Sequence, residues 1–152
     1  MSYTVQQGQE QILQVLAEAA EEIGFALASL GEAHEQLDDQ TAERLESELF
    51  RAVQLAYGRL RRTYTDFAKR SGLQTPTLAQ RAAGAPGAGV KHIIESAIAA
   101  TEKANSDLIE LQDSMLPVEV GDEQLRAGIA EVRELIDGLR GHARDFVRVL
   151  GR

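Results

Sequence analysis

Cysteine is absent from the 152 residues. Disulfides, thiolate-ligated zinc and thiol catalysis are therefore excluded, and no redox compartment is marked. Tryptophan is absent too, and aromatic residues make up only 5% of the chain, a palette that leaves helix formers dominant. No apolar run approaches the ~18 residues of a membrane-spanning helix. The opening MSYTVQQGQEQ lacks the positive region and apolar run of a signal peptide. No membrane association and a cytoplasmic location are the resulting expectations. Positive charge is in deficit, with 16 Lys and Arg against 24 Asp and Glu and a net charge of −8. Such a chain repels phosphate on average, which makes nucleic acid an unfavoured partner.

What is present favours helix. Ala, Leu, Glu, Gln and Arg dominate, and these are strong helix formers. With 43% hydrophobic and 26% charged residues, the chain has the balance of a folded soluble protein, and its length fits one domain, 1–152. Four long segments carry apolar residues at spacings of three and four, the period of one helix face. The first is expected from Gln9 to Leu37, with a core stripe of Ile12, Leu16, Ala19, Ile23, Leu27, Leu30, His34 and Leu37. The second follows a turn at 38–41, with Asp39 or Thr41 as its cap, and ends at Ser71-Gly72. Its stripe is Leu45, Leu49, Ala52, Ala56, Leu60, Thr63/Tyr64 and Phe67. The third runs from Val90 to Met115 and stops before Pro117; the fourth runs from Asp122 to Leu150. The fourth has the cleanest repeat: Leu125, Ile129, Val132, Ile136, Leu139, Ala143, Phe146 and Leu150.

Residues 73–89 form the one long connection, with a short helical piece expected from Pro76 to Ala83 and a flexible run from Gly84 to Gly89. Short, long and short links between amphipathic rods predict an all-α, up-down-up-down antiparallel four-helix bundle. That topology sorts charge by position. Glu32, Glu35, Asp38, Asp39, Glu43, Glu46, Asp113, Glu119, Asp122 and Glu123 gather at one end. Arg61, Arg62, Lys69, Arg70, Arg81, Lys91, Arg140, Arg144, Arg148 and Arg152 gather at the other. The helix dipole favours this arrangement in the second and fourth helices, but not in the first, whose acids lie at its carboxyl end. A seam of small residues, Ala17, Ala20, Gly24, Ala28 and Gly31, lets a neighbouring backbone come close along the first helix.

These residues bear on several chemistries. A di-iron carboxylate bundle needs Glu-x-x-His pairs, and the histidines are preceded at that spacing by Gly31, Gly89 and Leu139. His34 is expected as a partly buried histidine near Glu35 and Asp38. Gly84-x-x-x-x-Gly89-Val90-Lys91 approaches a phosphate-binding loop, but no strand precedes it and no Ser or Thr follows the lysine. The basic run at 59–70, with Lys91, supplies anion-binding candidates Arg59, Arg61, Arg62, Lys69, Arg70 and Lys91. Tyr64 and Phe67 fall on the core stripe of that run, which withholds them from stacking on bases.

Glu18, Glu21 and Glu22, with Glu43 and Glu46, resemble the paired acidic motifs of all-helical nucleotide pyrophosphohydrolases of the MazG type. The resemblance implies Mg²⁺ and nucleotide hydrolysis, with those carboxylates converging on the metal. It covers about a quarter of the chain, and the second motif ends in Glu46 where Asp is usual. Antiparallel pairing also sets Glu43 opposite residue 35, far from Glu18. The residues taken together predict a non-catalytic bundle without cofactor or metal. It would work through protein contact or self-association as a homodimer, using its charge-polarised surface. Anion binding at the basic end and Mg²⁺-dependent nucleotide hydrolysis are the alternatives.

Overall fold

The structure is a computed structural model that describes residues 4–83 and 89–150. Every regular element among the described residues is helical. Helix α1 spans Val5–Gln36. It starts earlier than its apolar pattern suggests because Thr4 and Gln7 cap it reciprocally: Gln7 N donates to Thr4 Oγ1 at 3.1 Å and Thr4 N donates to Gln7 Oε1 at 3.0 Å. Its buried face holds Ile12, Leu16, Ala19, Ile23 and Leu30 as expected. Ala26 and Ala33 take the places assigned to Leu27 and His34. His34 stays half-exposed, its Nε2 3.9 Å from Glu46 Oε2.

Helix α2, Asp39–Leu45, is capped by Asp38 rather than Asp39 or Thr41, with Thr41 N donating to Asp38 Oδ1 at 2.9 Å. It passes through one wide π turn, Glu46–Phe50, into α3, Arg51–Ser71. The wide turn adds a residue to the face, so Val53 enters the core and Ala52 only flanks it. Downstream the expected stripe returns, with Ala56, Leu60, Thr63, Tyr64 and Phe67 buried. Gly72 ends α3 in the left-handed conformation, φ 69°.

Beyond the long connection come α4 (Val90–Asp113), the single turn α5 (Leu116–Glu119), α6 (Glu123–Asp137) and α7 (Leu139–Leu150). Helix α4 stops two residues before Met115. Met115 adopts a left-handed φ of 67° and turns its side chain outward, so it leaves the expected seam. Asp122 caps α6 as expected, accepting from Leu125 N at 2.7 Å. All the expected core positions from Leu125 to Phe146 are buried. The fourth rod is nonetheless broken at Gly138 into α6 and α7.

The expected up-down-up-down order is overturned by the connection. Residues 73–83 form no helix. Leu73 and Leu78 pack against the core, and the segment begins beside Leu13, Ala17 and Tyr64. Further on, Arg81 Nη1 donates to Glu22 Oε1 at 2.8 Å and its guanidinium lies 4.6 Å from the Phe25 ring. The chain therefore climbs back along α1, from its amino end toward its carboxyl end, before α4 begins. The expected Gly84–Gly89 run lies outside the described residues except for Gly89. As a result α4 descends parallel to α3, and the order is up, down, down, up.

The contacts agree. The carboxyl end of α4 meets the amino end of α1, where Gln9 Nε2 donates to the Val120 carbonyl at 3.4 Å. Helix α1 packs most extensively on α4 and also on α3; α3 packs on α6; α4 faces α6 and α7 more sparsely. Each neighbouring pair is antiparallel, and α3 and α4 sit on a diagonal. The main apolar cluster runs through all of these helices. Each fully buried Leu or Ile contributes ~1.5–3 kcal/mol.

The charge polarity disappears with that order. Asp113, Glu119, Asp122 and Glu123 move to the end that holds Lys69 and Arg70. Lys91, Arg140, Arg144 and Arg148 move to the end that holds Glu32, Glu35, Asp38 and Asp39. The ion pair between Arg70 and Asp122 joins two residues assigned to opposite tips, at 2.6 and 2.9 Å. Arg152 lies outside the described residues.

Candidate functional site

The six anion-binding candidates do not form one site. Arg70 is engaged with Asp122, donating from Nε and Nη2. Arg59 Nε donates to Glu131 Oε2 at 2.5 Å, and Arg59 Nη1 donates to Thr63 Oγ1 at 3.1 Å. Lys91 opens α4 at the far end of the molecule from Lys69. Arg61 and Arg62 alone share a shallow surface depression on α3, with the Arg61 guanidinium 5.5 Å from the Tyr57 ring. Asp66 lines the same depression and offsets part of their charge.

The acids of the first two rods also stay apart. Glu22 is paired with Arg81, and Glu46 lies near His34. Glu22 and His34 are twelve residues apart on α1, roughly 18 Å at ~1.5 Å per residue. Among the described residues no group of three His, Asp or Glu side chains is placed to hold a metal ion. Only the first part of the small-residue seam is covered from within the chain. Ala17 lies beside Tyr64 and the crossover, Ala20 is buried, and a Cβ on Gly24 would stand 3.2 Å from Tyr57 Cε1. Ala28 is half-buried, and Gly31 has nothing within 4 Å of a Cβ position.

A different feature stands open. The backbone break at Gly138 lets α7 lean toward the π turn, where Phe146 is 1% exposed and Arg44 lies 5.7 Å from its ring. Lower down, α4 and α6 are clasped by polar side chains. Asn105 Nδ2 donates to Asp137 Oδ1 at 2.8 Å, and Arg133 Nη1 donates to Gln112 Oε1 at 2.8 Å. Between α4 and α7 a groove of about 460 Å³ remains. Ile98, Ala99, Ala143 and Val147 form its apolar floor. Glu95 and Glu102 stand on the α4 rim, Arg140 and Arg144 on the α7 rim. Arg140 Nε donates to Glu102 Oε1 at 3.3 Å, which straps the groove where it meets a second depression of about 390 Å³. Among the described residues, Glu95 and Arg144 have no ion-pair partner in the chain.

No family model, curated protein or solved structure matches this chain. The site therefore rests on its own geometry. Sequence reasoning missed the groove. Its signal was present in Ile98 and Val147, apolar residues off the main core stripes.

No helix among the described residues is long and apolar enough to cross a membrane.

Proposed function

We propose that the protein is a cytoplasmic, non-catalytic four-helix-bundle module for protein contact, and that the groove between α4 and α7 is its working surface. The observation that carries this reading is an apolar floor left half-open between two charged rims. Recognition of one helix surface by another uses this combination: apolar anchors at the centre and polar groups at the edge. The polar clasp below the groove fixes the separation of α4 and α6 and keeps the floor from closing by simple approach of the helices. This role replaces the polarised ends expected from the sequence.

A photo-activatable amino acid placed at Ala99 in the cell tests the reading. Protein adducts should form at Ala99 and be absent at Thr65, an exposed position on α3. Equal labelling at the two positions, or none at Ala99, would count against the groove as an interaction surface.

A further inference from the structure

We infer that the occupant of the groove is a second copy of this chain, seated about a two-fold axis parallel to the helices. This inference rests on the reading of the groove as a contact surface. The rims are acidic on α4 and basic on α7. A two-fold axis along the helices, lying between the two copies, places α4 of each copy over α7 of the other. Glu95 and Glu102 of one copy then face Arg140 and Arg144 of its mate, twice over. An axis across the helices would instead stack α4 on α4 and α7 on α7, acid on acid and base on base. Charge alone therefore selects one of the two arrangements, and the chosen patch is self-complementary, as a two-fold interface requires.

The register supports the pairing. Glu102 and Arg140 meet within the chain, which sets the heights of the two antiparallel helices. Counting seven residues from each puts Glu95 level with Val147, within one turn of Arg144 and Arg148. Glu95 and Arg144, which have no ion-pair partner among the described residues of one copy, thus gain partners in the pair of copies. Ala99, exposed at the centre of the floor, allows the copies to approach closely. Size is adequate as well. The face of α4 with α6 and α7 is ~36 Å long and two helices, ~20 Å, wide. That gives on the order of 700 Å² per copy, close to the ~800 Å² of a standard stable interface.

The test is a charge swap read by sedimentation equilibrium, with circular dichroism confirming helix content. The native protein should sediment at twice 16.6 kDa. Glu95→Arg alone and Arg144→Glu alone should each weaken dimerisation at least tenfold. An equimolar mixture of the two variants should recover the dimer, because each rim again meets its opposite sign. Ala99→Arg should give a folded monomer, and this variant alters only an exposed position. A native protein that stays at 16.6 kDa at concentrations up to ~100 μM would overturn the inference. So would a dimer that none of these changes affects, or single variants whose mixture does not associate. Adducts at Ala99 with a different protein, alongside a monomeric chain, would refute the second copy and leave the interaction reading standing; absence of all adducts would refute that reading itself.

Discussion

At the scale of single residues, the glycines show how much the neighbours decide. A Cβ on Gly128 would collide with Thr63 Oγ1 and stand 2.8 Å from its methyl carbon. Thr63 has little freedom to withdraw, because it is β-branched and its hydroxyl donates to the Arg59 carbonyl at 2.8 Å. Gly128 is thus the point where α6 presses against α3. Gly31 has open space around it, and an added methyl would gain helix propensity there. Gly128→Ala should lower stability by ~1–3 kcal/mol. Gly31→Ala should raise it by up to ~1 kcal/mol, as measured by urea unfolding of the two variants. From sequence alone Gly24 and Gly31 read alike, as small residues in one seam of the first helix. The difference comes from tertiary contact: Gly24 does meet a tight neighbour, Tyr57, and Gly31 does not.

At the scale of the element, Asp122 joins two tasks, capping α6 and binding Arg70 of α3. The Arg70 guanidinium, with the Leu125 amide, holds the Asp122 carboxyl below its ordinary range despite partial burial. Asn caps a helix as well as Asp does, so Asp122→Asn removes chiefly the charge. The pair is partly exposed, and the loss at neutral pH should be ~0–1 kcal/mol. A depressed carboxyl stabilises the fold fully above the unfolded value of about 3.9. That stabilisation fades as pH falls through the lower folded value. Unfolding curves of the two proteins should therefore differ at pH 7 and converge in strong acid. The cap itself was legible, since Asp122 follows a turn and precedes a clean repeat. So was the core of the last rod, where every position from Leu125 to Phe146 kept the helical period. The π turn and the Gly138 break were not legible. Both leave the apolar spacing almost unchanged, and Val53 in place of Ala52 is the only trace of the first.

At the scale of the whole molecule, one connection decides the topology. Seventeen residues suit a slack turn at one tip as well as a climb along ~36 Å of helix. Leu73, Leu78 and Arg81 carry the distinction, because a slack loop has no use for apolar residues that dock or a cation that stacks on Phe25. Since the chain has no cysteine, introduced pairs report cleanly. Lys69→Cys with Glu123→Cys should be joined by a short bismaleimide, and Lys69→Cys with Lys91→Cys should not. The opposite outcome would restore the simpler order. The same crossover governs how the protein assembles. The largest interface joins α1 to α4, segments separated by more than fifty residues of intervening chain. Closing so long a span is slow compared with folding a neighbouring hairpin. During synthesis the flank of the first rod that α4 covers must therefore wait, wet and unsheltered, until its mate has left the ribosome.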